Sequence, residues 1–313
     1  MRLVFFGSGA FAIPTLQFLA ASGRELVAVV TQPPRPAGRG GRVAPTPVDQ
    51  VAEELALPLL RPENPNSPEF LATLADLRPD LAVVVAYGHL LASDVLTIPP
   101  LGCVNLHASL LPRYRGAAPV PWAILAGETH SGVTLFQLDQ RFDCGGVLGQ
   151  AQLEIKADDT SGSYLERLAV QAADLLGESL PAIAAGRLTP RPQDESQACR
   201  APKLTKADGL LDWQLSFPEL DRRVRAFQPW PLAHATFTTS RGDISLNILR
   251  LTTASGVYPP APPGSVLVAD PATGLVVQAG DGAVRLREIH PSGKRPMSDS
   301  DFLRGTKMEG WKD

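Results

Sequence analysis

In the run Cys103-Val104-Asn105-Leu106-His107-Ala108-Ser109-Leu110-Leu111-Pro112, two side chains have the types and spacing that acyl transfer needs. In an extended strand the side-chain period is two, so Asn105 and His107 share a face. A carboxamide N–H stabilises the oxyanion that develops when a carbonyl is attacked. An imidazole beside it can take or give the proton that the attack releases. Histidine in that role is oriented by a carboxylate. Two candidates follow the next strand-like run, in Leu138-Asp139-Gln140-Arg141-Phe142-Asp143-Cys144-Gly145-Gly146. Spacing alone leaves Asp139 and Asp143 both open.

These residues need a scaffold that gathers strand ends. Buried-strand patterns at Leu3–Phe6, Leu26–Val30, Leu81–Val85, Cys103–Leu106 and Gly132–Leu138 alternate with helical patterns at Ile13–Ala21, Val48–Leu55, Phe70–Leu77 and Ser161–Ala185. The alternation predicts an α/β domain, a parallel sheet with helices on both faces. Such sheets bind ligands beyond the carboxyl ends of their strands. Gly7, Gly9 and Ala12 fit the G-x-G-x-x-A turn of dinucleotide sites. That site also needs an acidic residue where the second strand ends, and here it ends in Val29-Val30-Thr31-Gln32. No dinucleotide is expected, and the glycines are read as permitting close backbone packing or the approach of another ligand. An NADP oxidoreductase, with a following arginine on the 2′-phosphate, is the alternative from another class. It leaves Asn105, His107 and the aspartates unexplained.

Between Arg187 and Ala207 the chain turns polar and carries Pro190, Pro192 and Pro202, which reads as a linker. A short helix follows at Phe217–Phe227. Strand-like runs then recur at Ala233–Thr238, Ile244–Leu251, Ser265–Val268, Leu275–Gln278 and Val284–Ile289, the pattern of a small β-barrel or sandwich. The expected division is residues 1–190, a linker at 191–207, and residues 208–313. A chain of 313 residues, 44% hydrophobic and 19% charged, fits two soluble globular domains. A net charge of −3 carries no global signal for nucleic acid or membrane. Cys103, Cys144 and Cys199 lie far apart with no C-x-x-C, so a reducing compartment and no structural zinc are expected. There is no signal-peptide pattern before the strand at Leu3 and no apolar run of membrane-spanning length, so a cytoplasmic location is expected.

The Asn105–His107 pair, with Ser109-Leu110-Leu111-Pro112 and Arg113-Tyr114-Arg115-Gly116-Ala117-Ala118-Pro119, resembles the core motif of the folate-dependent formyltransferases. Asp143-Cys144-Gly145 lies where that family has its D-x-G aspartate, so the resemblance selects Asp143 over Asp139. Thr31-Gln32-Pro33 with Arg35-Pro36-Ala37-Gly38-Arg39-Gly40, Val84-Val85-Ala86-Tyr87-Gly88, Lys203-Leu204, Asp212-Trp213 and Arg225 to Pro231 resemble family members that act on tRNA. The likeness runs over nearly the whole chain. It departs at Ala108, where the family has glycine, and at Arg141, Phe142, Cys144 and Gly146 around the aspartate.

The resemblance implies a Rossmann-like parallel-sheet formyltransferase domain followed by a small OB-like β-barrel domain. It implies formyl transfer from 10-formyltetrahydrofolate to the α-amine of initiator methionyl-tRNA, with no metal and no dinucleotide. Asn105, His107 and Asp143 would be catalytic. Tyr87, Gly88, His89, Leu90, Ser109, Leu110, Leu111 and Pro112 would bind the folate. A tRNA needs local positive charge whatever the net charge. Residues 26–48 carry Arg35, Arg39 and Arg42 with no acid, and residues 196–207 carry Arg200, Lys203 and Lys206 with no acid. Arg35, Arg39, Arg42, Lys203 and Lys206 are therefore the expected tRNA contacts. The basic loop argues against the nearest rival, a formyltransferase acting on a small amine. No obligate protein partner is evident.

Overall fold

Leu3 to Phe6 are apolar on both faces, and the strand that holds them, Arg2 to Gly7, lies inside a sheet, as buried parallel strands do. The computed structural model describes residues 1–37 and 41–312; the side chains of Ala37, Arg42, Trp311 and Lys312 lie outside that description. The chain divides into two compact units. One holds Met1–Pro119, His130–Glu154 and Leu165–Pro202, and the other holds Val120–Thr129, Ile155–Tyr164 and Lys203–Asp313.

The elements of the first unit begin with β1 (Arg2–Gly7), α1 (Ile13–Ala21), β2 (Glu25–Val30), β3 (Arg35–Ala37), β4 (Arg42–Ala44), α2 (Pro47–Glu54) and β5 (Leu59–Leu60). Next come α3 (Pro68–Asp76), β6 (Leu81–Val85), α4 (Ser93–Leu96) and β7 (Cys103–His107). After α5 (Pro119–Leu125), which lies almost wholly in the second unit, β8 (His130–Gln137), β9 (Val147–Glu154) and most of α6 (Ser161–Ala184) complete it. Helices α2 and α3 start where a proline follows a capping hydroxyl: Thr46 accepts from the Asp49 N–H, and Ser67 from the Phe70 N–H.

The sheet order is β5-β2-β1-β6-β7-β8-β9. The first five strands are parallel, while β8 and β9 add antiparallel at one edge. Strand β9 has no counterpart in the sequence reading, because an edge strand carrying Gln150, Gln152 and Glu154 lacks the apolar run that marks a buried one. One face of the sheet packs Val4, Phe6, Val30, Ala82, Val84 and Cys103 against Phe70 and Leu74 of α3 and Val95 of α4. Burial there pushes the Cys103 thiol up to about 12. Along β7 the same face runs on from Cys103 to Asn105 and His107, so the core fixes the strand whose far end carries the polar pair.

The stretch read as a linker pairs with the first unit. Arg191 and Val147 exchange two backbone bonds, and Ala201 donates to the Arg115 carbonyl at 2.7 Å. In the second unit α7 (Phe217–Ala226) opens with a Ser216–Glu219 capping box. It is followed by β10 (Ala233–Thr239), β11 (Gly242–Thr253), β12 (Val266–Asp270), β13 (Gly274–Ala279), β14 (Gly282–Pro291), β15 (Met297–Ser298), α8 (Asp299–Gly305) and β16 (Met308–Lys312). Their order is β12-β13-β14-β11-β10-β16, and the two end strands approach each other, giving a nearly closed antiparallel barrel. Trp213 and Phe237, both fully buried, meet edge-on inside it. Among the described residues no helix is long and apolar enough to cross a membrane.

Candidate active site

Asn105 and His107 lie two residues apart on β7, opposite Phe136 and Thr134 of β8. His107 ends the strand and is buried. Its Nε2 lies 2.9 Å from the Tyr114 carbonyl oxygen. A carbonyl only accepts, so Nε2 is the donor and keeps its proton. The other ring nitrogen, Nδ1, faces the Asp143 carboxylate, with Oδ2 at 3.8 Å. That separation is an ion-pair distance, longer than a hydrogen bond. Asp143 is also buried, and its Oδ2 accepts the Gly116 N–H at 2.9 Å. Asp139 is more exposed and turns to Arg141, accepting its backbone N–H at 2.8 Å. Of the two aspartates, Asp143 is therefore the one beside His107. Asp143 has φ 54°, a left-handed conformation in which Asp is enriched among non-glycine residues. The Asn105 Oδ1 is buried and has no hydrogen-bond partner, which marks a polar group that a bound molecule can satisfy.

The turn after β7 is braced from the antiparallel edge. The Thr134 hydroxyl donates to the Ser109 carbonyl at 2.7 Å and accepts from the Leu111 N–H at 2.9 Å. Gln150 on β9 donates to the Leu111 carbonyl at 2.8 Å and to the Thr134 hydroxyl at 3.0 Å. Ser109 donates to the Arg113 carbonyl at 2.6 Å. Across the sheet, Gly88 and the half-buried His89 and exposed Leu90 follow β6. Tyr87 turns the other way. Its ring packs into the core against Phe6 with centroids 5.4 Å apart, and burial pushes its phenol up to about 12. What Tyr87 offers this wall is main chain, and its carbonyl accepts from the Gln32 side chain at 2.7 Å. The Ser8 and Gly9 N–H groups both donate to the Ala86 carbonyl at 3.2 Å. Two donors of the glycine turn are thus taken by the β6 loop, and at Gly7 a Cβ would strike the Phe5 ring.

A sequence model of the formyl transferase family matches residues 1–180, and one of the formyl transferase C-terminal domain matches residues 203–307. This chain belongs to the formyl transferase family. It is 49% identical over 312 residues to the methionyl-tRNA formyltransferase of Methylococcus capsulatus, covering 99% of this chain and 98% of that protein. It is 45% identical over 311 residues to the enzyme of the same name from Roseiflexus castenholzii, covering 99% and 97%. Among solved structures it is similar to HypX from Aquifex aeolicus in complex with tetrahydrofolic acid, with 18% identity and a TM-score of 0.65. That match covers 97% of this chain and spans about half of HypX, 47%. It is also similar to the N-formyltransferase of Helicobacter canadensis, with 15% identity, a TM-score of 0.64, and 91% and 98% of the two chains covered. At these identities the two structures speak for the fold.

The basic residues divide between the units. Arg35 sits exposed in the β3–β4 hairpin of the first unit, and Lys203 and Lys206 are exposed in the second. Arg39 and the side chain of Arg42 lie outside the described residues. Among the described residues no group of three or more His, Cys, Asp or Glu side chains is placed to hold a metal ion. Sequence reasoning missed the Tyr114 carbonyl, the Gly116 N–H, Thr134 and Gln150. Two are backbone groups, which carry no residue-type signal, and two lie on an edge hairpin distant in sequence.

Proposed function

We propose that this protein transfers the formyl group of 10-formyltetrahydrofolate to the α-amine of methionine on initiator methionyl-tRNA, for translation initiation in the cytoplasm. The observation that carries the reading is the 49% identity spanning 99% of the chain, both units included. The site supports the chemistry. The neutral amine attacks the formyl carbon, a C–N bond forms, and the carbonyl oxygen becomes an oxyanion. The Asn105 carboxamide donates to that oxyanion, and such a donor is typically worth about 10²–10³ in rate. Its unpartnered Oδ1 is free to accept an N–H of the folate or the amine.

The proton that leaves the amine must reach N10 of the folate as the old C–N bond breaks. His107 Nε2 is committed to the Tyr114 carbonyl, so Nδ1, facing Asp143, is the nitrogen that exchanges it. The scheme needs neither a metal nor a covalent enzyme intermediate. The folate lies along the main chain of Tyr87, Gly88, His89 and Leu90 and the Ser109–Pro112 turn. Arg35, Arg39, Arg42, Lys203 and Lys206 grip the tRNA backbone, where each phosphate contact adds salt-dependent affinity. In this reading residues 1–190 do the chemistry and residues 208–313 help to hold the tRNA, with 191–207 connecting them.

The test is an assay with two acceptors. The protein is mixed with 10-formyltetrahydrofolate and either charged initiator tRNA or free methionine, and formylmethionine is followed. Product with the charged tRNA alone, lost in His107→Ala, is expected. Folate turnover to formate without transfer overturns the reading in favour of a hydrolase.

A further inference from the structure

We propose that Gln193, in the connecting stretch, is a positioning residue for Asp143; the proposal rests on the formyl-transfer reading above. The Gln193 Nε2 donates to the Asp143 carbonyl at 2.9 Å and to the Gly145 carbonyl at 2.8 Å. Its Oε1 accepts from Arg115 twice, from Nε at 3.0 Å and Nη2 at 2.7 Å. The amide is thus fully committed. Its orientation is set by chemistry, because carbonyls only accept and a guanidinium only donates. A flipped amide would oppose like groups at all four contacts. Arg115 is itself held by Glu195, with Nη1 at 2.8 Å from Oε2.

These bonds act on a residue whose backbone is left-handed at φ 54°. Asp143 is held at its main chain by Gln193 and at its carboxylate by the Gly116 N–H, one residue from Arg115. The same stretch also reaches the other partner of His107. The Tyr114 N–H meets Cys199 Sγ at 3.2 Å, and the Arg115 N–H donates to the Cys199 carbonyl at 2.9 Å. Residues 193–201 therefore brace the main chain of both residues that flank the imidazole, at the Tyr114 N–H and at the Asp143 carbonyl. The Gln193 side chain ties the Asp143 loop to Arg115.

The experiment compares Gln193→Ala and Gln193→Glu with the wild-type full chain, varying folate and charged tRNA separately, with melting temperatures measured alongside. A glutamate retains the acceptor that Arg115 meets, with added charge, but loses both donors to the Asp143 loop. The expected result is a kcat lower by about 10- to 100-fold in both variants, with each KM within about threefold, as for a reacting group displaced by a fraction of an ångström. Gln193→Glu is expected to be no better than Gln193→Ala. Full kcat in either variant overturns the proposal, and so does a Glu variant that outperforms Ala, which would mean the stretch acts through Arg115 alone. In the wild-type chain the Gln193 side-chain amide protons are expected to exchange more slowly than those of an exposed glutamine. Exchange at the exposed rate overturns the proposal even where the variants misfold. A wild-type protein that forms no formylmethionine refutes the formyl-transfer reading itself, whereas an active wild type with an equally active Gln193→Ala refutes only the role of Gln193.

Discussion

Replacing Thr134 by valine isolates one hydroxyl. The two side chains have nearly the same shape and the same preference for a strand, so β8 keeps its geometry. Thr134 is fully buried, and its hydroxyl serves the Ser109 carbonyl, the Leu111 N–H and the Gln150 amide. Valine strips Ser109 and Leu111 of those bonds in a place that water does not reach, while Gln150 keeps the Leu111 carbonyl. Two buried groups left unmatched at about 1–3 kcal/mol each give roughly 2–6 kcal/mol of destabilisation. With about 2–4 °C per kcal/mol for a domain of this size, the first unit's melting temperature falls by roughly 4–24 °C. Differential scanning calorimetry of the full chain reads this directly. The serine variant is the control, since it keeps the hydroxyl and loses only a methyl group, a cost of about 1 kcal/mol. On burial of apolar surface alone, valine should be the more stable of the two variants. A valine variant as stable as the serine variant would therefore refute the idea that the hydroxyl holds the turn.

Asn105→Ala is expected to lower kcat by about 10²–10³, for the lost oxyanion donor, and to raise the KM of the substrate whose N–H the Oδ1 accepts, read in steady-state formylation assays. Tyr87→Phe removes a buried hydroxyl that has no partner, so thermal stability should hold or rise by up to about 1 kcal/mol, and the folate KM should stay unchanged. In the second unit, burial works to raise the Asp299 carboxyl, but the hydrogen bonds from Arg285 and the Leu275 N–H and the Arg285 charge outweigh it and leave it below its ordinary value of 3.8. A carboxyl lowered on folding stabilises the fold fully above that ordinary value and loses the effect as pH falls through its folded value. Urea unfolding of wild type and Asp299→Asn should differ most at neutral pH and converge in acid.

The parts of this site that were legible in the sequence are those governed by local rules. A period of two places Asn105 and His107 on one face, and the structure keeps them there because Cys103, on the same face, is locked in the core. The choice between Asp139 and Asp143 needed the family resemblance, since nothing in the spacing says which carboxylate a loop will turn inward. The deciding event is the left-handed backbone at Asp143, held from fifty residues away by Gln193. Tyr87 teaches the complementary lesson. A motif identifies a position, but only packing decides whether its side chain or its main chain meets a ligand, and here the ring belongs to the core. In the proposed reading two side chains, those of Asn105 and His107, meet the reacting atoms, while the groups that touch the imidazole, its carboxylate and the Asp143 main chain are a carbonyl, an N–H and the Gln193 amide. Backbone groups are set by the fold rather than by residue type, so the contact that fixes the His107 tautomer is made by main chain, at a residue with φ 60°. The exacting positions are instead those that steer the main chain: Gly116, where a Cβ would strike the Ala201 carbonyl, and Gln193.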